Sequence, residues 1–325
     1  MEETHMHINQ EDQLKLYANR KPLVVDRTLD DADLETRCPL DNARPHSTQP
    51  RYSVGQLDVL PLETITDILL ILDLPTLTTF RRVNRRAMSL VNSLHQYSMV
   101  LKHCPNVIRA IISINANSFD CATLYKVLST KKCEECDQFG SYLYLITCKR
   151  VCYLCFTTLI QYRPPSFDQV ARHTSGLKEK HLPCVLNLPG RYTQYARSLT
   201  ERTLFFDRRV LSDRRVSFAG DTDDTLAQYD LRMQQRGLPS IETARFVSII
   251  SAPYLGSSGQ SADWGFYCVR CGMSKERVAH FRIKYTKDDI LDHFKRHGAI
   301  PVVDGSTGDT PSNTSAFSTT GNINA

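Results

Sequence analysis

The chain has 325 residues, of which 41% are hydrophobic and 23% charged, and a formal net charge of +5. That is ordinary globular usage with material for about two domains, and the charge is too small for the length to demand nucleic acid as a partner. No basic-then-apolar leader is read at the start and no apolar run approaches the ~20 residues of a membrane span, so a soluble protein of the cytoplasm and/or nucleus, with no membrane partner, is expected.

Residues 1–52 are polar and interrupted by Pro39, Pro45 and Pro50, which reads as a disordered arm. The most regular stretch follows, from Leu57 to Leu94. Pro61 sits where a first helical turn tolerates a missing N–H, and Leu62, Ile65, Ile68, Leu69 and Leu72 recur at three- and four-residue spacing. Asp73-Leu74-Pro75 breaks that helix, Pro75 opens a second with Leu77 and Phe80, and Ala87, Leu90, Val91 and Leu94 mark a third after Asn84. Leu60-Pro61, the helix ending at Leu72, Asp73 to Leu77 and then Arg-Arg-Val-Asn-Arg-Arg, in that order, resemble the F-box, the adaptor-binding module of ubiquitin-ligase substrate receptors. The resemblance places an F-box at 53–95. It implies that Leu60, Pro61, Ile65, Ile68, Leu69, Leu72, Leu74 and Leu77 dock on a Skp-type adaptor and, through it, a cullin. The same leucines would also suit a hairpin that buries them in its own core; the ordered pattern as a whole favours the F-box.

Apolar spacing continues through Tyr97 to Leu101, Val107 to Ile114 and Leu124 to Leu128, giving a helical extension at 96–130. Next comes Cys133-x2-Cys136-x15-Cys152-x2-Cys155, expected over 131–162. Two residues between cysteines let one turn aim both sulfurs at one point, and two such turns complete a thiolate tetrahedron, the chemistry of a closed structural zinc site. Phe139, Tyr142, Tyr144 and Ile146 suit a hairpin that brings the turns together. Cys148 is an alternative ligand to Cys152. A dithiol redox couple is disfavoured, because neither pair lies in a thioredoxin-like strand-helix plan.

Residues 163–300 are expected to form a C-terminal substrate-binding region. Its start, 163–189, is Pro-punctuated connector, and Arg191 to Arg215 carries seven arginines among aromatics. Glu201, Asp207 and Asp213 lie among those arginines, so internal ion pairs are expected in preference to nucleic-acid contacts. Thr243 to Leu255 reads as a buried strand. A second element, Cys268-x2-Cys271-x21-His293-x3-His297, offers another zinc site, since a four-residue offset puts both imidazoles on one helix face. Asp288, Asp289 and Asp292 on that helix argue against DNA reading. Residues 301–325 read as a disordered tail.

The remaining cysteines, Cys38, Cys104, Cys121 and Cys184, stand alone and read as small buried hydrophobes in a reducing compartment. Taken together, the F-box-like helices, CEEC with FGSYLYLITCKRVCYLCF, and ARFVSIISAPYL with DWGFYCVRC resemble fungal F-box proteins with an associated cysteine cluster, over residues 55–298. The expected fold is therefore α+β: a mainly helical N-terminal half, then an irregular α+β body stabilised by zinc, with disordered termini. The expected role is non-catalytic, a ubiquitin-ligase subunit that recruits an unknown protein substrate. A zinc-containing nucleic-acid-binding regulator is the alternative. A metalloenzyme ranks last, because no nucleophile motif such as G-x-S-x-G accompanies the cysteines.

Overall fold

The computed structural model describes residues 9–40, 50–173, 182–193, 197–213, 241–256, 261–273 and 280–297. The largest departure from expectation lies at the start. Residues 9–40, taken as part of a disordered arm, form α1 (Gln10–Tyr17), β1 (Ala18–Asn19) and α2 (Leu34–Arg37). Asn9 caps α1 by accepting the Asp12 amide at 2.9 Å, and Thr28 and Asp31 cap a single 3-10 turn reciprocally. Leu29 and Leu34 are almost wholly buried, and the Arg109 guanidinium donates to the Cys38 carbonyl. This segment has too few apolar residues for a core of its own; Leu14, Leu29 and Leu34 are buried against distant elements, while Leu23 and Val25 are exposed. Residues 1–8 and 41–49 of the expected arm, and the expected tail, lie outside the described residues.

The helical region follows the sequence closely. The three short helices are α3 (Leu62–Leu70), α4 (Leu74–Arg81) and α5 (Arg85–Ser93). Asp73 caps α4 through the Thr76 amide at 2.8 Å and Asn84 caps α5 through the Ala87 amide at 2.9 Å, so the expected breaks are also start signals. The extension is α6 (His95–His103), α7 (Pro105–Ser113) and α8 (Cys121–Leu128), with Asp120 capping α8. The Cys121 amide donates to the Leu72 carbonyl at 3.2 Å, which ties α8 to the end of α3.

The hairpin expected between the cysteine pairs is β2 (Tyr142–Tyr144) and β3 (Lys149–Val151), followed by α9 (Tyr153–Thr158). The stretch read as connector carries α10 (Phe167–His173) and β4 (Cys184–Leu186). Beyond it come β5 (Gly190–Tyr192), β6 (Arg197–Leu199), β7 (Leu204–Phe206) and α11 (Arg208–Asp213). β4 pairs with β7 and β5 with β6, all antiparallel; Val170, Leu182, Phe206 and Leu211 make a small core beside β4 and β7, while Tyr192 and Leu199 of the second pair join the main core.

The strand expected over 243–255 is divided. Its first half is helical, α12 (Ile241–Phe246), and only then do β8 (Ile249–Ser251) and β9 (Tyr254–Leu255) follow. The helical turn places Arg245, whose buried guanidinium donates to the Phe156 and Leu159 carbonyls at 2.8 and 2.7 Å, at the C-terminal end of α9. β8 pairs antiparallel with β2, Leu143 opposite Ile250, so the central sheet runs β3-β2-β8. The C-terminal module comprises β10 (Ala262–Asp263), β11 (Phe266–Cys268), α13 (Val269–Met273), β12 (Lys284–Tyr285) and α14 (Lys287–His297). β1 joins it as a strand, with Ala18 opposite Cys268, and Leu14 shares its core with Ile290, Leu291 and Phe294.

One core runs from Leu29 through the helical region and the central sheet to Leu255. The protein is thus a helical N-terminal region followed by a mixed helix and strand body, joined by continuous packing. Arg150 on β3 lies at its centre: Nε donates to the Val127 carbonyl at 3.0 Å, Nη2 to Pro253 at 2.6 Å and to Leu128 at 3.3 Å, and Nη1 to Gly140. Burial lowers its pKa to about 10, which still leaves it charged at neutral pH.

Gly265 positions the C-terminal module against the hairpin. Its φ is +70° and a Cβ there would stand 2.6 Å from Phe139 Cε1. Gly265→Ala combines a left-handed backbone penalty of about 1–2 kcal/mol with that clash. A loss of stability of at least about 2 kcal/mol in chemical denaturation is expected; an unchanged midpoint would show that the two elements shift apart freely.

Candidate metal centres and an exposed apolar run

Cys133 and Cys136 lie on the turn that leads into β2, and Cys152 and Cys155 at the start of α9, so the antiparallel pairing of β2 with β3 brings the two knuckles together. Their four sulfurs lie within 4.8 Å of one another. Cys136 Sγ and Cys152 Sγ are 3.6 Å apart. A disulfide would need about 2.05 Å, whereas a tetrahedron with metal–sulfur bonds of about 2.3 Å has edges of about 3.8 Å. The spacing is that of ligands around an ion. The Glu135 amide donates to Cys133 Sγ and the Cys155 amide to Cys152 Sγ, both at 3.4 Å, which offsets thiolate charge as a metal site requires. A hydrogen bond from Cys152, aided by the Glu135 amide, draws the Cys133 thiol down to about 5 and holds that of Cys152 up.

Cys148, the alternative ligand, is not in this group. It occupies the β2–β3 turn with φ +52°, is 3% exposed within the main core, and desolvation pushes its thiol well above the usual range. Around the cluster, Glu135 accepts from Tyr162 Oη at 2.6 Å and from Arg209, while Glu134 pairs with Lys149 at 2.7 Å. Arg209 is one of the arginines of the 191–215 stretch, and Arg202 donates to the Ser113 carbonyl at 2.9 Å. Arg209 thus forms an internal ion pair of the expected kind, whereas Arg202 is held by carbonyls. Their partners differ from the acids foreseen: Asp207 instead accepts the Val210 amide at 3.0 Å. Arg214 and Arg215 lie outside the described residues.

The second cluster contains Cys268 at the end of β11, Cys271 on α13 and His293 on α14. Cys271 Sγ and His293 Nε2 are 3.4 Å apart, near the roughly 3.6 Å edge of a sulfur–nitrogen tetrahedral pair. Hydrogen bonds from Cys271 and its amide, with His293 beside them, draw the Cys268 thiol to about 5. Tyr285 stacks on the His293 ring at 4.6 Å and fixes its plane. His297, expected as the fourth ligand, does not join these three. It is the exposed last residue of α14, with its ring 4.9 Å from that of His293 and its carbonyl held by Arg270. Both clusters could hold a metal ion, the first with four protein ligands and the second with three.

Of the isolated cysteines, Cys38, Cys104 and Cys121 are buried as expected, and desolvation lifts the thiols of Cys104 and Cys121 to about 12. Cys184 is partly exposed.

The eight residues assigned to adaptor contact divide in two. Ile65, Leu69, Leu74 and Leu77 are 2% exposed or less and belong to the main core. Ile68 and Leu72 are half-buried, and Leu60 and Pro61 are exposed. Beside these two, Val59 is 84% and Leu62 55% exposed, so Val59 to Leu62 is an apolar run open to solvent where the chain enters α3. Ile71 and Val83, at the ends of α3 and α4, are likewise exposed at 70% and 66%. Periodicity missed Val59, because it precedes the helix, and Ile71 and Val83, because they lie off the stripe; it included Leu62, which is exposed all the same. A run of apolar residues before a helix start was the available signal.

Residues 57–99 match the family model of the F-box domain. The F-box therefore comprises α3, α4 and α5 and extends into α6, beginning and ending somewhat later than the 53–95 read from sequence. The exposed run lies at its start. No curated protein and no solved structure matches the chain. Among the described residues no helix is long and apolar enough to cross a membrane.

Proposed function

We propose that the protein is a non-catalytic substrate receptor of an SCF-type cullin-RING ubiquitin ligase, of the kind seen in fungal F-box proteins with a cysteine cluster. The F-box docks on a Skp-type adaptor, the body recruits a protein substrate, and other subunits transfer ubiquitin. Recruitment acts by raising the effective concentration of substrate lysines near the charged conjugating enzyme. The observation that carries this reading is the solvent-open Val59 to Leu62 run inside the matched domain, since contiguous exposed apolar surface marks an interaction site. Ile65, Leu69, Leu74 and Leu77 then support that surface from the core. On this reading both clusters take zinc as a structural ion, and free thiols suit work in the reducing cytoplasm or nucleus.

The test is capture of a Skp-type adaptor by the intact chain. The double variant Leu60→Ala/Pro61→Ala and, separately, Leu62→Asp are expected to lose capture by more than about tenfold while circular dichroism and melting temperature stay at wild-type values, since interface anchors commonly contribute 1–2 kcal/mol or more. Leu69→Ala is expected to behave differently, destabilising the fold by about 2–5 kcal/mol. A folded wild type that captures no adaptor would sink the receptor reading.

A further inference from the structure

A solvent-open pocket of about 450 Å³ lies between the first cysteine cluster and the C-terminal module. That volume falls within the range of ordinary ligand sites, roughly 300–1,000 Å³. Lys131 and Lys132 line it just ahead of Cys133, and Lys284 and Arg296 line it from β12 and α14. Phe139 and Tyr285 add aromatic surface. Both ligand clusters brace its walls, since Lys132 and Asp137 flank the first knuckle and Tyr285 stacks on His293.

The charges are unequally matched. Lys132 pairs with Asp137 at 3.2 Å with both side chains largely in water, and Lys131 with Asp289 at 3.4 Å with both about half exposed; such pairs contribute little. Lys284 and Arg296 have no carboxylate within 4 Å among the described residues. The Lys284 ammonium lies 5.2 Å from the Tyr267 ring centroid, and burial lowers its pKa to about 8 against the opposing pull of Asp30 and Asp263. That ammonium therefore faces Tyr267, Asp30 and Asp263, none of which lines the pocket, and Arg296 is the wall cation open to an incoming anion.

We propose that this pocket binds an acidic peptide segment, its carboxylates meeting Lys131, Lys132 and Arg296 and an apolar side chain lying against Phe139 and Tyr285. The interspersed Asp137 and Asp289 oppose a nucleic-acid strand, whose charge is continuous, and tolerate a chain whose carboxylates come at intervals. Naming the segment as part of a ubiquitylation substrate rests on the receptor reading above; the acidic selectivity of the pocket does not.

The experiment applies the labelled intact chain to an array of short random-sequence peptides graded in net charge. Wild-type retention is expected to rise with acidity. Lys131→Glu/Arg296→Glu should lose that preference by roughly tenfold, and Asp137→Asn should sharpen it, an opposite response that a folding defect would not produce. Retention indifferent to charge, or a folded double variant that keeps the acidic preference, would overturn the proposal. Adaptor capture, measured on the same preparations, separates the two readings. Capture without acidic selectivity removes the pocket, and acidic selectivity without capture removes the receptor and leaves the pocket standing.

Discussion

Arg150→Met is expected to cost about 3–5 kcal/mol of stability, among the largest effects any single side chain here can produce. Methionine keeps the aliphatic stem and removes the planar donor fork. The carbonyls of Val127, Leu128, Gly140 and Pro253, which close α8, lead into β2 and follow β8, then lose their shared donor. The Val127 carbonyl keeps the Thr130 amide and hydroxyl as donors, but each of the other buried carbonyls left unpaired costs about 1–3 kcal/mol where water cannot reach it. Arg150→Lys should recover only part of the loss, because one ammonium cannot satisfy acceptors arranged around a plane. Thermal unfolding is the measurement, and a fall of roughly 10 °C is expected for a domain of this size. A melting temperature within a degree or two of wild type would show that the carbonyls find other donors and that Arg150 is not the centre of the body.

Removing metal should have the other large effect. In zinc-finger peptides the apparent binding free energy is on the order of 10–16 kcal/mol, and part of that is folding energy. The hairpin between the two cysteine pairs supplies two of the three strands of the central sheet, so its loss extends beyond the site. A strong chelator is expected to abolish cooperative unfolding and expose the 131–162 region to protease. Cys133→Ser should reproduce this with loss of one zinc equivalent by elemental analysis. Cys268→Ser should remove the second equivalent while leaving the helical region intact, and Cys148→Ser should remove none. Zinc absent from the wild type, or a fold indifferent to chelation, would leave both clusters as hydrogen-bonded thiols.

What the sequence made legible were features whose geometry is local or whose spacing is fixed by chemistry. The breaks at Asp73 and Asn84, the two-residue gaps within each cysteine pair and the i, i+4 histidines are of this kind, although His297 shows that correct spacing does not place a ring. Periodicity showed that Ile65 and Leu69 share a face of α3. It could not show whether that face meets a partner or the protein's own core, because both demand the same leucines. The N-terminal segment was missed because its partners are remote in sequence: Arg27 bridges to Thr193, Asp26 pairs with Arg282 and Asp30 accepts the Ser251 amide. A polar composition with few apolar residues reads as unfolded when each anchor depends on a distant element. Arg150 and Arg245 were invisible for a related reason, since an arginine that satisfies carbonyls in a core has the same local surroundings in sequence as one in water.

The pairing of β1 with β11 also sets an order in time. The ribosome releases Ala18 early, yet its partner Cys268 is made about 250 residues later, roughly 12–50 s at about 5–20 residues per second. During that interval the F-box and the extension behind it are complete in sequence and can pack, while the opening strand has no mate. α1 and β1 are therefore among the last elements to settle, and they close the C-terminal module only once synthesis has passed α14.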